Sequence, residues 1–439
     1  MKQVLVLGAG MVSSPLVHYL LDRGYAVTLG DINEEAAQNI IGDKANATAL
    51  KLDISESERV SALVAEADLI ISLLPPKFHT DIAAMSLEHG KNFLTASYLS
   101  DEMKTMHEQV KAKGLVFMNE VGLDPGIDHL TAMEMIDEAR DEGYKILSFD
   151  SHCGGIPSRK SANNPLRYKF SWSPAGVLGA ITRASRFRRE GNIVQVPGRE
   201  KLHHAEVLHV PGAGIFESNP NADSLYYGDH YGLTETHNVR RGTLRYPGWA
   251  QFWLFMLKLD FLDRERRMTF ENEPAINALF QLAEWTVPKD IYKFVHEKAD
   301  SHASLFLEYM ESLGLLDNEN RVTGDLTAFE IMLQCALKNM QYEEGETDLV
   351  ILHHELIVEK DGKREKWSST MNREGESGGL TAMAVLVGIP AAITARMILE
   401  DRIAEKGVLI PLAREVYKPI LDELAELGIP HHIRKNPIN

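Results

Sequence analysis

Short apolar runs alternate with amphipathic stretches along the first 120 residues of the chain. The runs are rich in Val, Ile and Leu and predict six strands, at residues 3–7, 26–30, 48–52, 69–74, 92–95 and 115–118. Between them, apolar residues recur with helical spacing, for example over residues 11–22, 34–41, 56–65 and 80–89. Strands and helices in strict alternation predict parallel pairing through right-handed crossovers. We therefore expect an α/β fold whose doubly wound parallel sheet is covered by helices on both faces.

The pattern changes after residue 144. Strand-like segments at 146–151, 202–210 and 234–244, separated by Gly- and Pro-containing turns, predict a second, mixed α+β domain. Residues from about 274 to 340 have mostly helical spacing, which predicts a small helical insert, and residues 348–358 and 365–370 predict a hairpin. The expected domains are 1–124, completed by C-terminal helices at about 380–439; 125–270 with 345–380, for substrate binding and dimerisation; and the insert, 271–344.

Composition narrows the class of protein. The 439 residues include 46 basic and 63 acidic side chains, a formal charge of −17, which disfavours binding nucleic acid by bulk electrostatics. With 44% hydrophobic and 25% charged residues, the chain has a globular composition. The two cysteines, Cys153 and Cys335, are far apart, so we expect neither a disulfide framework nor a metal site and assign the chain to the reducing cytoplasm.

One apolar stretch, at residues 380–398, is long enough to raise the question of a membrane span. It contains Gly388, Pro390 and Arg396 and falls short of an uninterrupted span of about 20 residues. We expect a buried pair of helices there and no membrane partner.

The turn after the first strand reads Gly8-Ala9-Gly10-Met11-Val12-Ser13, a G-x-G-x-x-S form of the dinucleotide-binding fingerprint. Gly8 permits the tight turn, Gly10 lets the backbone approach a pyrophosphate, and Ser13 is small enough for the close-packing position. The following helix directs unpaired N–H groups at the bound anion, which makes Met11 and Val12 candidate cofactor contacts. The prediction is a Rossmann-type nucleotide site.

Asp31, about 20 residues further on at the end of the second strand, bears on which nicotinamide dinucleotide is used. A carboxylate there accepts hydrogen bonds from the ribose hydroxyls and repels a 2′-phosphate, so NAD is favoured over NADP. The alternative is that Asp31 caps a helix that begins near Glu34 and Glu35.

The ligand crevice of an open parallel sheet lies at the carboxyl ends of its strands. At these ends, Asp53, Leu74 and Pro75 are expected to line the cofactor. The segment of Ser97 and Tyr98 and the turn at residues 120–124 are expected to reach toward the substrate.

Several longer motifs resemble one family, the saccharopine dehydrogenases of the glutamate-forming type. The matching stretches run from residue 4 to residue 393 and read VLVLGAGMVSSP, LTASYLS, MNEVGLDPGIDHL, SHCGGIP, NPLRYKFSWSPAGVL, RGTLRYPGW and TAMAVLVGIPAAI. The resemblance implies an enzyme of lysine metabolism, generally a dimer. Such an enzyme reduces the imine formed between glutamate and aminoadipate semialdehyde, or runs in reverse.

The resemblance also implies site residues. Leu123 and Trp172 lie against the cofactor in this interpretation, whereas the substrate contacts are Ser97, Tyr98, Asp124, Thr243, Leu244 and Arg245. A substrate with three carboxylates needs cations, and Arg240, Arg241 and Arg245 supply them, with Arg167 and Lys169 as further candidates. The alternative for these arginines is a solvated strand edge.

Three residues are candidates for moving protons: Asp124, Tyr98 and Cys153. Asp124 could instead be a helix N-cap with Pro125 at the first helical position, and Cys153 could be a small core residue. His129 is expected on a helix surface or in a core contact. The aromatic segment from Trp249 is expected to form a dimer interface.

The sequence departs from the family pattern at two places. Where the family reads Y-P-N-R-D-S, residues 219–224 read Asn-Pro-Asn-Ala-Asp-Ser, so Ala222 replaces an arginine expected to hold a substrate carboxylate. At Asp31 the family pattern for NADP has a basic residue. Two alternatives therefore stay open: the same imine chemistry on another carboxylated amine, of the carboxyspermidine kind, or a nucleotide-binding sensor without turnover.

Overall fold

A computed structural model describes residues 1–438, which form two compact units. The first unit comprises Met1–Lys145 and Leu380–Arg434, and the second comprises Ile146–Gly379 with the C-terminal residues from Lys435. The expected boundary at residue 124 therefore falls inside the first unit, which also takes in the segment that returns at Leu380.

The amino-terminal part of the first unit alternates strands and helices throughout. The strands are β1 (Gln3–Leu7), β2 (Ala26–Asp31), β3 (Ala47–Lys51), β4 (Leu69–Ser72), β5 (Asn92–Thr95) and β6 (Val116–Met118). The helices are α1 (Ser13–Asp22), α2 (Glu34–Ile41), α3 (Ser57–Glu66), α4 (His79–Glu88), α5 (Asp101–Lys104), α6 (His107–Ala112) and α7 (Ile127–Asp141).

The second unit contains most of the remaining elements. Its strands are β7 (Lys145–Pro157), β8 (Ser185–Arg189), β9 (Asn192–Val196), β10 (Glu206–Val210), β11 (Gly214–Pro220), β12 (Asn238–Arg245), β13 (Arg267–Pro274), β14 (Arg321–Thr327), β15 (Asp348–Lys360) and β16 (Lys363–Glu374). Its helices are α8 (Pro174–Ile181), α9 (Ser224–His230), α10 (Trp249–Lys258), α11 (Ala275–Leu282), α12 (Ile291–Ala299), α13 (Ala303–Ser312) and α14 (Ala328–Asn339).

The chain then returns to the first unit and ends in a strand. These last elements are α15 (Ala382–Leu399), β17 (Gly407–Leu409), α16 (Arg414–Glu426) and β18 (His432–Ile438).

The first unit has an all-parallel sheet with the strand order β17-β6-β5-β4-β1-β2-β3. The order reverses between β1 and β4, which is the point where such sheets bind ligands. β1 and β4 are buried on both faces apart from Gln3, as expected for central parallel strands. The predicted Rossmann-type fold is confirmed, and the C-terminal segment adds a seventh strand, β17, that the apolar pattern did not reveal.

The apolar stretch after residue 380 forms one helix, α15, rather than the expected pair, and Pro390 lies inside it. By length and composition α15 could cross a membrane, but most of it is buried within the protein. It packs on α1, where a Cβ added to Gly388 would lie 2.9 Å from the carbonyl oxygen of Val12. Close packing of α15 against α1 therefore depends on Gly388. Ser13 occupies the position where the dinucleotide-binding fingerprint usually has its third glycine.

The second unit is built on a nine-stranded mixed sheet. Its main order is β10-β11-β12-β7-β15-β16-β18, and β8 and β9 join it beside β12. β12 runs parallel to β7 and antiparallel to β11. The predicted mixed domain is confirmed, and the predicted hairpin is β15 with β16.

The insert and the aromatic segment differ from expectation. The insert is not purely helical, because β13 and β14 pair as a separate two-stranded sheet. Trp249 and Trp253 are 4% and 0% exposed in the core of the second unit, so the predicted dimer surface at this segment is wrong. Their apolar area is covered within one chain, with Phe252 and Phe306 packed close by.

Candidate functional site

The turn after β1 carries the predicted fingerprint glycines. Gly8 has φ +109°, and a Cβ there would lie 3.0 Å from the carbonyl oxygen of Leu73, so this position needs glycine. A Cβ on Gly10 would have no atom within 4 Å, which leaves open space beside the backbone. Ser13 is buried, and its hydroxyl donates to the Gly10 carbonyl at 2.8 Å. The turn fits a pyrophosphate held by the unpaired N–H groups at the start of α1.

Asp31 ends β2 and braces the fingerprint turn. Its Oδ2 accepts a hydrogen bond from the Ala9 amide at 2.7 Å, and its Oδ1 accepts one from the Asn33 amide at 2.8 Å. The alternative role as a helix cap is wrong, because Asn33 caps α2 by accepting from the Ala36 amide at 3.2 Å. Each carboxylate oxygen of Asp31 keeps acceptor capacity for a hydroxyl donor.

The other residues predicted for the cofactor lie at or just beyond the carboxyl ends of the strands. Met11 is 58% exposed, and α1 begins two residues later than expected. Hydrogen bonds from the amide and hydroxyl of Ser55 lower the pKa of Asp53. Val12 is half-buried at the cap of α1, Leu123 is buried after β6, and Leu74 and Pro75 lie in the loop after β4, which ends at Ser72.

Ser97, a predicted substrate contact, belongs to a hydrogen-bonded chain. His79 at the start of α4 is bonded through Nδ1 to the Ser72 hydroxyl and through Nε2 to the Ser97 hydroxyl, each at 2.8 Å. Burial lowers the pKa of His79 to about 4, so the ring is neutral at pH 7. Our sequence interpretation missed His79, because nothing local distinguishes it from an ordinary helix residue.

Tyr98 and Asp124, two predicted proton-moving residues, lie together. The Tyr98 hydroxyl donates to Asp124 Oδ1 at 3.0 Å. Asp124 is not the cap of α7, since the helix begins at Ile127 with Gly126 before it, so that alternative is wrong. Gly126 has φ +147°, and a Cβ there would lie 2.0 Å from the Gly122 carbonyl oxygen, so the tight loop around Asp124 requires glycine.

A buried carboxylate and imidazole lie beneath this loop. Glu120 Oε2 is 2.6 Å from His129 Nε2, and both residues are 0% exposed. Glu120 Oε1 accepts from the amide of Leu99, and the Glu120 amide donates to the carbonyl of Ser97. The expected core contact of His129 is therefore an interaction with a carboxylate, and Glu120 fixes the backbone on both sides of Tyr98.

In the second unit, two predicted site residues, Thr243 and Cys153, form a row across the sheet with the polar residue Asn219. Thr243 on β12 is paired with Cys153 on β7 and with Asn219 on β11. Residues directly opposite on adjacent strands share a face of the sheet. Cys153 is 8% exposed and Asn219 is 4% exposed.

The arginines of β12 are buried at 2% to 6% exposure, so a solvated strand edge is wrong. Arg240 forms an ion pair with Glu206, and the guanidinium of Arg241 lies 3.5 Å from the ring centre of Tyr227. Arg245 has a different environment. Its Nη1 donates to the carbonyl of Leu244 at 2.7 Å, its Nε has no partner, and none of the described carboxylates pairs with it.

The two further cations are less suited to binding substrate. Lys169 Nζ already lies 2.5 Å from both carboxylate oxygens of Glu346. Arg167 is exposed, and its guanidinium stacks on Tyr246 at 4.0 Å. Arg245 also lies over aromatic rings, those of Tyr168 and Trp249 at 4.8 and 5.2 Å, but it is buried and has no carboxylate partner among the described side chains, so we take it as the candidate cation for a substrate carboxylate.

Comparison with known proteins identifies the family. Residues 4–118 match a family described as the saccharopine dehydrogenase NADP binding domain, and residues 122–429 match the saccharopine dehydrogenase C-terminal domain. A Pyricularia oryzae protein named saccharopine dehydrogenase [NADP(+), L-glutamate-forming] is 36% identical, over 97% of each chain. This chain belongs to the saccharopine dehydrogenase family. Its first unit is therefore an NAD(P)-binding unit.

Other members of the saccharopine dehydrogenase family extend the comparison. An apo saccharopine dehydrogenase (L-Glu forming) from Saccharomyces cerevisiae has a TM-score of 0.90 at 31% identity, with 99% of this chain and all of that chain covered. An Arabidopsis thaliana alpha-aminoadipic semialdehyde synthase is 37% identical over 97% of this chain but only 44% of its own length. Similarity to the yeast enzyme thus extends over the whole fold.

The departures from the saccharopine dehydrogenase pattern can now be located. Ala222 follows β11 with φ +34°, and its carbonyl accepts from the amide of Arg186 at 2.9 Å. The guanidinium of Arg186 is held by both oxygens of Asp223, at 3.1 and 2.5 Å, so it is already paired. Trp172 is half-buried against the core of the second unit, and its contact with cofactor stays a prediction. Among residues 1–438 there is no group of three or more His, Cys, Asp or Glu side chains placed to hold a metal.

Proposed function

We propose that the chain catalyses the NAD-dependent interconversion of saccharopine with glutamate and aminoadipate semialdehyde. The main support is the match over nearly the full length to relatives named saccharopine dehydrogenase of the L-glutamate-forming type. The unpaired buried cation Arg245 adds to this, because a substrate with three carboxylates needs such a group.

The preference for NAD goes beyond what the relatives' names say, since these specify NADP. It is supported by the position of Asp31 at the end of β2, where a carboxylate can accept from two ribose hydroxyls and repels a 2′-phosphate. The open space at Gly10 and the tight turn at Gly8 fit the pyrophosphate of either dinucleotide.

The bound dinucleotide supplies or takes up the hydride. In the oxidative direction, saccharopine and water become glutamate, aminoadipate semialdehyde and one released proton as the hydride leaves. In this proposal Asp124 accepts protons from the substrate amine and from the water that adds to the imine carbon. Tyr98 orients its carboxylate through the 3.0 Å hydrogen bond, and Arg245 binds a substrate carboxylate.

The test is to add saccharopine to the purified chain with each dinucleotide and to follow nicotinamide absorbance, identifying products by mass spectrometry. We expect reduction of NAD with release of glutamate. Release of lysine instead of glutamate would contradict the proposal. Dinucleotide binding without any turnover would favour a nucleotide-binding sensor.

A second candidate function is supported by Ala222. Loss of an arginine from the substrate region removes one carboxylate-binding group, which suits a substrate with fewer carboxylates. The same chemistry on a carboxylated polyamine would meet this condition. A panel of such amines, assayed under the same conditions, distinguishes the two: higher kcat/KM for a carboxylated polyamine than for saccharopine would replace the first candidate.

A further inference from the structure

The amide oxygen of Asn219 is a buried acceptor without a partner. Asn219 is 4% exposed, and its Oδ1 makes no hydrogen bond in the described structure. Leaving such a group unpaired is costly, so buried polar atoms nearly always find a partner in the working state of a protein. The unpaired oxygen therefore points to a donor that the protein itself does not supply.

Its surroundings indicate what kind of donor this is. Asn219 lies directly opposite Thr243, which in turn pairs with Cys153. Two residues further along β12 and on the same face is Arg245, the buried guanidinium that lacks a carboxylate. Glu217, which lies opposite Arg245, is occupied, because its carboxylate accepts from the amides of Gly248 and Ala250 at 2.7 and 2.9 Å.

The opposite direction along the same face is closed. Arg241, two residues before Thr243, lies over Tyr227 of α9, and Phe149 packs edge-on against Tyr231 at 5.5 Å. Helix α9 and the residue that follows it therefore cover the rows of Arg241 and Phe149. A ligand on this face would lie across Asn219 and Thr243, with its anionic end toward Arg245.

We propose that Asn219 is a substrate-positioning residue whose amide oxygen accepts a hydrogen bond from the primary ammonium group of the amino-acid substrate. The inference rests on the proposed function and deepens it by naming the group that recognises this ammonium. A zwitterionic amino-acid end would then be held by an acceptor and a guanidinium on one face of the sheet.

The chemistry selects the primary ammonium over the reacting nitrogen. The secondary nitrogen must lose its proton before hydride leaves the adjacent carbon, and a neutral amide oxygen is too weak a base to take it. The primary ammonium keeps its protons throughout turnover, so a neutral acceptor suits it.

The first test is Asn219→Leu, which keeps the approximate size of the side chain and removes the acceptor. A hydrogen bond to a charged group accounts for roughly a 10- to 100-fold effect, so we expect kcat/KM for saccharopine to fall by about that factor, mainly through KM. Asn192→Leu makes the same change at an exposed position of β9 and should leave kcat/KM unchanged. If Asn219→Leu does not fold, Asn219→Ser replaces it.

The decisive measurement uses a saccharopine analogue in which the primary amino group is replaced by hydrogen. The wild type should use this analogue less well than saccharopine, and the Asn219 variant should use both about equally. An unchanged preference for saccharopine in the variant would overturn the inference.

A second variant, Asn219→Asp, tests the sign of the partner's charge. It should keep kcat/KM for saccharopine within about threefold of wild type, since a carboxylate also accepts from an ammonium. A kcat/KM lower than that of Asn219→Leu would refute the inference. Failure of the proposed function looks different, because the wild type itself would then not turn over saccharopine.

Discussion

Replacing Asp31 by asparagine should shift the cofactor preference toward NADP. The substitution removes one negative charge from the end of β2 and leaves the side-chain volume nearly unchanged. It also disturbs the fingerprint turn, because the two carboxylate oxygens accept from different amides, those of Ala9 and Asn33. An asparagine has one acceptor oxygen, so one of these N–H groups loses its partner.

The magnitude follows from separating these two effects. The lost amide acceptor costs about 1–3 kcal/mol and weakens the binding of both dinucleotides alike. Repulsion between a carboxylate and a phosphate charge about 4 Å apart is about 1 kcal/mol in water and about 4 kcal/mol near a protein surface. Asp31 is half-buried, so an intermediate value applies, and the ratio of kcat/KM for NAD to that for NADP should fall by about 10- to 100-fold.

The assay is saccharopine oxidation with each dinucleotide at fixed saccharopine concentration. The ratio of the two kcat/KM values isolates the charge effect, because damage to the turn cancels. Asp43→Asn removes the same charge from an exposed position and should leave the ratio unchanged. A wild-type preference for NADP, or a ratio in Asp31→Asn within about threefold of wild type, would refute the reasoning.

Four further predictions concern Asp124, Arg245 and the stability of the first unit. Asp124→Asn should lower kcat by about 10² or more, with Tyr98→Phe affecting it less, and unchanged steady-state kcat would remove Asp124 from proton transfer. Arg245→Ala should mainly raise KM for saccharopine, by about 10- to 100-fold, and an unaltered KM would exclude it from the site. The pKa of His79 is about 4 when folded and about 6.5 when unfolded. Below pH 6.5 the unfolded chain therefore binds a proton that the native chain does not, and stability falls toward pH 4. Urea unfolding of His79→Gln should show a pH slope smaller than wild type by about one proton in this range. Gly388→Ala should lower the free energy of unfolding by about 1–3 kcal/mol, since the added Cβ would lie 2.9 Å from backbone of α1; an unchanged midpoint in urea would contradict this.

The parallel sheet of the first unit could be predicted from sequence because its signals are local. Central strands such as β1 and β4 are buried on both faces and appear as continuous apolar runs. Each is followed by a turn with recognisable residues, the glycines after β1 and the prolines after β4. β17 could not be found in this way. It has three residues, and its place beside β6 is set by contacts between segments almost 300 residues apart in sequence.

The candidate site residues also differ in whether local sequence signals or tertiary packing determine their contacts. Tyr98 and Asp124 were both predicted to reach toward the substrate, because they follow adjacent parallel strands whose carboxyl ends meet at one edge, but their hydrogen bond was not predicted. The contacts of His79 with Ser97 and of Glu120 with His129 were not predicted either, since each joins a loop to a helix face whose orientation only packing decides. Trp249 was predicted to lie at a dimer interface but is buried in the core, because an aromatic run in a sequence looks the same in either place.

The departures from the family pattern at Asp31 and within residues 219–224 lie at positions that we propose to contact ligand. Asp31 ends a strand at the nucleotide edge, whereas Asn219 and Ala222 lie at and just beyond the end of β11, beside Thr243. The glycines that shape the two tight loops, Gly8 and Gly126, are present and required by backbone geometry. In our proposal, substitutions at these positions alter which cofactor and which amine are preferred without changing the groups that move protons. The ratio of kcat/KM for NAD to that for NADP therefore tests the role of Asp31, and the preference for saccharopine over its analogue tests the role of Asn219. Either prediction can be contradicted without the other.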